Sequence, residues 1–371
     1  MKTQLRTALI VLLLLLTTAT AWGQVTIVAP TVSGANTDFV EALQDEINNA
    51  IDILETDVIS EIEQYFDLPL LAQGVADSGA AASHIGTQRS FIDYQRFAIV
   101  VGGGLAASLY TTDPDIITDL ADEIEQGDVY AGAAIQPIVV SFGFRPRFIS
   151  DRLYTNVKLG YADVGDGDIA DGVAFNSLSL GLLANYRLIE TRSLGAGVLR
   201  WRGISLGSGV VYQRNELEID LDFGEVDEPI DVDAGGVERS LIMTLDPVLT
   251  AKVTSDSIVV PLEVTTGLRI AWLLDLNVGA GIDLSFGNSE ITLGINSPVI
   301  LDGDTSDIEV TPGSIAVNEG TKGDGPEFVR PRLTAGVGLN LGPVKVDFPL
   351  MYYFDKEGNS FMAGVNVGLV F

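Results

Sequence analysis

Cysteine is absent from the 371 residues. That excludes disulfide staples, thiol catalysis, thiolate metal sites and a lipid anchor on a mature N-terminal cysteine. Histidine occurs once, as His84, inside a run of Ala, Gly and Ser; a Ser-His-Asp hydrolase would have to use it, and no enzyme is expected. Positive charge is scarce: 21 Lys and Arg against 51 Asp and Glu give 21 − 51 = −30, which excludes nucleic acid as a partner. After the N-terminus no window holds the roughly 20 uninterrupted apolar residues of a spanning helix. Yet mean hydropathy is positive, at +0.31. Apolar and charged residues must therefore be segregated, and the alternating wall of a barrel does this without a spanning helix.

The first 23 residues read as a secretory signal peptide. Lys2 and Arg6 supply the positive start, Ala8 to Leu16 is an unbroken apolar core, and Ala19-Thr20-Ala21 and Ala21-Trp22-Gly23 are small-residue cleavage signals. Cleavage is expected after Gly23, with Ala21 as the alternative.

Residues 24–94 form the second region. Val40, Leu43, Ile47, Ile51, Leu54, Val58, Ile62 and Tyr65 step by three or four, predicting one helix over about 38–66, with Asp38 and Glu41 as a cap pairing and Pro69 as its stop. Its other face is acidic, which disfavours binding to an anionic lipid surface. Packing beneath a barrel and insertion into it stay open as alternatives. The stretch 70–94 is rich in Gly, Ala and Ser, a composition that suits either a segment threading a lumen or a flexible linker.

From about residue 95 the period becomes two. Phe361, Ala363, Val365, Val367, Leu369 and Phe371 share one face of the last segment, opposite Ser360, Met362, Gly364, Asn366, Gly368 and Val370. The register recurs at 178–188, 262–270, 278–286, 333–341 and 344–354. A soluble sandwich would charge its outer face; here the polar face is mainly Gly, Ser, Thr and Asn, with Arg187, Glu263, Arg269, Asp283, Lys345 and Asp347 as isolated lumen-facing charges. Strand candidates centre near 101, 137, 157, 181, 210, 246, 264, 282, 335, 349 and 365. Eleven is odd and single-chain bacterial barrels are even, so one is surplus, the weakest being 240–253. A bulge is expected between Tyr212 and Leu217, where the apolar phase changes. The acids from Asp220 to Asp233 and from Asp302 to Glu309 are assigned to connections, and 287–328 to the longest, exposed one. Arg145-Pro146-Arg147, Leu273-Leu274-Asp275 and Gly342-Pro343 are expected short turns.

Asp163, Asp166, Asp168 and Asp171 miss the offsets of a calcium loop, as does Asp302-Gly303-Asp304. Gly102-Gly103-Gly104 has no following lysine or helix to cradle phosphate and reads as a kinked wall strand. Catalytic, cofactor and metal residues are thus expected to be none.

The fold expected is all-β: an antiparallel transmembrane barrel of about 10–14 strands over 95–371, with an α-helical, hatch-like segment before it. The signal peptide, the alternating strands and the end Val367-Gly368-Leu369-Val370-Phe371 resemble bacterial outer-membrane barrels generally. That resemblance implies the cell outer membrane, its lipid as surroundings, and recognition of Phe371, Leu369 and Val367 by the barrel-assembly machinery. Gln73 to Ala82 resembles, more narrowly, the small-residue hatch of the long-chain fatty-acid transporter family. This implies passive uptake of a small hydrophobic ligand, with Gly74, Asp77, Gly79 and His84 as hatch positions. The alternatives are a surface barrel displaying acidic loops for adhesion or envelope integrity, and a general porin.

Overall fold

The structure, a computed structural model, describes residues 24–49, 68–87, 96–111, 129–165, 172–194, 198–222, 224–234, 237–303, 308–323, 325–356 and 358–371. The expected signal peptide, the second half of the predicted helix and Asp166, Asp168 and Asp171 lie outside the described residues.

Among the described residues, seventeen strands follow in chain order. β1 (Gln24–Val28) and β2 (Thr31–Gly34) come before two helices, α1 (37–49) and α2 (Leu68–Ala82). Then come β3 (Phe97–Thr111), β4 (Val129–Phe144), β5 (Leu153–Val164), β6 (Val173–Ile189), β7 (Arg192–Leu194) and β8 (Leu199–Asp222). β9 (Val226–Ala234), β10 (Val237–Leu245), β11 (Val248–Ile270), β12 (Leu274–Gly303), β13 (Ile308–Thr311) and β14 (Gly313–Gly323) continue the chain. β15 (Val329–Leu341), β16 (Val344–Phe354) and β17 (Asn359–Val370) end it.

Ten of these close a ring in the order β3-β4-β5-β6-β8-β11-β12-β15-β16-β17, all antiparallel, with β17 returning to β3 from Asn359↔Leu109 to Val370↔Ala98. Closure leaves no edge, the condition for backbone to cross hydrocarbon. Alternation then sorts side chains by solvent. Leu105, Leu159, Leu182, Leu262, Val278 and Leu350 are exposed on the outside, while Lys158, Gln213, Asp283, Ser285, Arg332 and Asp347 are buried within. No described helix is long and apolar enough to cross a membrane. The strands cross instead, and the chain is an outer-membrane β-barrel.

The surplus strand is the one near 246, as expected: β10 lies outside the ring and pairs β9 and the far end of β12. Other expectations are corrected. No bulge separates Tyr212 from Leu217; pairing of β8 with β6 and β11 runs unbroken there, and the register shifts lie at Gly203, whose φ is +79°. The apolar phase changes at Leu217 because β8 has by then left the lipid and the rule that sorted its faces no longer applies. The acidic stretches 220–233 and 287–328 are largely strand rather than loop. The 30-residue β12 runs about 100 Å at about 3.4 Å per residue, some three times the hydrocarbon thickness of about 30 Å.

The surplus length builds a cap at the end with the long connections. Phe39, Leu43 and Ile47, one face of α1, are buried against Ile230, Leu241, Met243, Leu249, Val299 and Ile315. β1 pairs β14 and β2 pairs β13. Asn36, not Asp38, caps α1: its Oδ1 accepts from the Phe39 amide at 3.3 Å. Gln44 fastens the helix by accepting from the Val32 amide at 3.1 Å and donating to the Pro30 carbonyl at 2.9 Å. The described part of the predicted helix is therefore neither beneath the barrel nor inside it.

Candidate functional site: the plugged lumen

The small-residue stretch forms α2, and α2 fills the lumen. Pro69 lies in the first turn of this helix, where a missing N–H is harmless. From Ala72 to Thr87 every described residue but Gln73 is buried. Ala72 lies by Ile291, and its carbonyl accepts from Ser289 at 2.6 Å, near the cap. Gly86, with φ +77°, lies against Val139 and Gly102, far down the wall. Arg96 then hydrogen-bonds Phe371 at the short-turn end. The chain thus passes lengthwise through its own barrel, from the cap to the short turns.

Glycine makes room for it. A Cβ at Gly132 would collide with the backbone of Gly74 and Val75, and one at Gly79 with Ser255 Oγ. The Gly- and Ser-rich inner face is small because a helix lies on it, not because water does.

Two sectors surround α2. Ala81, Ala82 and Ile85 pack against Ala106, Ala134, Val139, Met351 and Met362 of β3, β4, β16 and β17, an apolar sector. The other contacts of the lumen are polar and paired. His84 Nε2 meets Asp283 Oδ2 at 2.6 Å; Arg332 donates to Asp283 at 2.9 Å and to Glu263 at 2.8 Å. Arg330 is held by Asp355 at 2.8 Å, donates to the Asp77 carbonyl at 2.7 Å and lies 4.5 Å from the Tyr353 ring. Tyr110 donates to the Asp77 carboxylate, and Lys158 to the Ser83 carbonyl at 2.6 Å. Buried charges persist where each is paired and hydrogen-bonded, and here the pairs join wall strands to one another and, through His84–Asp283 and Arg330–Asp77, to the plug. Toward the short turns, Arg269 forks onto Asp275 at 2.7 and 2.8 Å, and a cavity of about 30 Å³ is bounded by Thr87, Arg202, Asn277 and Asp347.

The wall beside α2 is incompletely zipped. β4 and β5 share only six rungs, Val139↔Gly160 to Phe144↔Thr155. Among the described residues, the rest of β4 has no ladder partner on that side. Pro137 lacks an N–H, and a register shift opposite Gly103 kinks β3 against β4 as the triple glycine implied. Gln136 closes the seam with side chains: its Oε1 accepts from Ser177 at 2.8 Å on β6 and from Gln213 at 2.7 Å on β8.

Residues 21–371 match the model of the Lsa36-like family. The chain belongs to the Lsa36-like family. No curated protein matches this Lsa36-like chain. Solved structures to which it is similar include the CymD monoaromatic hydrocarbon channel (12% identity, 80% of this chain and 98% of that one, TM-score 0.25). Others are the translocator domain of autotransporter NalP from Neisseria meningitidis (12%, 74% and 88%, TM-score 0.28) and Ail, the attachment invasion locus protein of Yersinia pestis (8%, 75% and 99%, TM-score 0.23). The barrel itself is established by the closed ladder.

Each residue singled out from this Lsa36-like sequence has a definite place. Gly74, Asp77, Gly79 and His84 all lie on the plug. Glu263, Arg269, Asp283, Lys345 and Asp347 are buried inside the ring; Arg187 is half-buried, 4.9 Å from the Tyr154 ring. Phe371 stacks on Phe97 at 4.7 Å beside the seam of ring closure. Sequence reasoning missed Arg330, Arg332, Lys158 and Gln136. The first two share the parity of Thr334 on the same alternating face of β15 but precede Leu333, where the segment read from sequence began; the Pro137 phase shift hid Gln136.

Proposed function

We propose that this barrel is a plugged channel for the passive passage of small hydrophobic molecules, long-chain fatty acids among them, moving sideways between lumen and bilayer. The observation that carries the reading is the β4–β5 seam, where the wall next to the apolar sector of the lumen is joined by the side chain of Gln136 instead of a backbone ladder, while paired charges around α2 block the axis. A hydrophobic solute gains nothing from a charged axial route but loses no solvation in crossing from lipid to Ala106, Ala134 and Met362. The monoaromatic hydrocarbon named for one similar structure belongs to the same chemical class of solute.

The test is uptake of a labelled long-chain fatty acid by liposomes holding the purified barrel. Ile138 and Tyr161, both exposed on the outer wall, would form the next rung if the ladder continued. In the cysteine-free chain, the pair Ile138→Cys and Tyr161→Cys closes the seam on oxidation; uptake should fall then and return on reduction. Ionic conductance without fatty-acid binding would point to a porin instead. A second reading, display of the cap at the cell surface for adhesion, is favoured by the separate core that α1 builds with β9, β10, β12 and β14; it requires neither uptake nor conductance.

A further inference from the structure

A chain with a net charge of −30 nevertheless has a basic end. Arg96, Arg147, Arg152, Arg192 and Arg200 are exposed at the short-turn end of the ring, and Arg145 is half-buried among them. The exposed acids there, among the described residues, are Asp151 and Glu190; Glu190 binds Arg152 at 3.0 Å. Apolar side chains stand out from the same end. Phe148 is 88% and Ile149 66% exposed at the tip of the turn between β4 and β5, which Arg145 closes by donating to the Asp151 carbonyl at 2.8 Å. Trp272, 72% exposed, sits on the three-residue turn between β11 and β12 at φ +56°, a conformation a bulky residue rarely adopts. Arginine interleaved with protruding aromatics suits the headgroup layer rather than open water.

Directly above this end the lipid-facing wall is hollowed. An open groove of about 720 Å³ crosses β5, β6, β8, β11 and β12, floored by the small residues Ala184 and Ala280 and flanked by Leu153, Leu206, Leu262 and Ile282. It starts at Leu153, next in sequence to Arg152. An apolar trough that begins where the arginines end is shaped for a molecule with a hydrocarbon tail and an anionic head.

We propose that the groove and the arginines form a binding site for an anionic glycerophospholipid of the leaflet at the short-turn end. Arg147, Arg152 and Arg200 engage its phosphate, and an acyl chain lies over Ala184 and Ala280. The acidic end of the molecule, where β8 carries Glu216, Glu218, Asp220 and Asp222, offers no such match, so the site is specific to one leaflet.

The test is native mass spectrometry of the purified full chain in non-ionic detergent, offered phosphatidylglycerol or phosphatidylcholine with identical tails. The folded barrel should retain phosphatidylglycerol preferentially. Arg147→Gln, Arg152→Gln and Arg200→Gln should each cut that preference by about fivefold, from about 1 kcal/mol per surface arginine. Ala184→Trp, which fills the trough, should lower retention of both lipids alike and leave the ratio unchanged. Equal retention of the two lipids by the unaltered protein, a measurement that needs no variant, would overturn the proposal. So would an undiminished preference in the triple arginine variant.

Discussion

Arg332 shows what one side chain does in this lumen. It joins Asp283, and through it His84 on the plug, to Glu263 on β11. Replacing it with Met leaves two buried carboxylates without their cation, and breaking such a pair costs about 3–5 kcal/mol. The denaturant midpoint of Arg332→Met in detergent should fall accordingly. Asp283→Asn combined with it should cost less than the sum of the two, because the partners act as a unit. A second, gentler pairing lies beyond the apolar belt, which on β8 gives way to Arg214 and Glu216. Lys252 donates to Glu216 and holds its carboxyl below the ordinary 4.5, while its own ammonium is held above 10.5 by the same bond. Glu216, ionised more readily when folded, contributes stability above pH 4.5 that disappears as pH falls through the lowered value. Lys252 contributes below 10.5 and loses that share as pH rises through the raised value. Lys252 should therefore be acylated more slowly at pH 9 than in Glu216→Gln; equal rates would remove the pairing as the cause.

At the scale of elements, α2 is held by its surroundings rather than by its own propensity. Fifteen residues are marginal for a helix in water, and Gly74 and Gly79 each weaken it by about 1 kcal/mol relative to Ala. Gly132→Leu should therefore push α2 away from β4 without unfolding the ring. The check is a Ser78→Cys reporter, buried in the native protein, whose alkylation should become faster. The same scale shows what could be read in advance. Wall strands were legible because lipid outside and a polar lumen inside enforce a period of two, as along Leu333 to Leu341. The lumen-threading segment was legible in composition, since only small side chains such as those of Gly74 to Ala82 fit between a helix and a narrow wall. The cap was not. Once β8, β11 and β12 leave the bilayer, water permits acids on a strand, so Asp220 and Asp302 resembled loop residues. Nor could periodicity show which way α1 would lie, because its stripe of Phe39, Leu43 and Ile47 fits any apolar partner.

The whole molecule is a barrel with a folded cap on one end, basic turns on the other, and its own chain running between them. Ten strands with small inner side chains leave room that α2 takes up. Deleting residues 68–87 while keeping the flanks joined should therefore turn a non-conducting protein into one with ionic conductance in planar bilayers. Long connections face the exterior in such barrels, so an epitope placed before β1 should be reached by antibody on intact cells. Staining only after permeabilisation would reverse the assigned orientation.

The passage of the chain through its own ring also sets an order of events. A cord with a knot at one end, drawn through a hoop, can be neither inserted nor withdrawn once both are tied. The cap built on α1 is the knot, and the twelve rungs joining β17 to β3 are the last link of the hoop. Either the cord lies in place before that link shuts, or the knot is tied after passage. A barrel cross-linked shut between β17 and β3 with its cap already formed and its lumen empty should thus be unable to take α2 in, whereas one that closes around α2 should reach the native state.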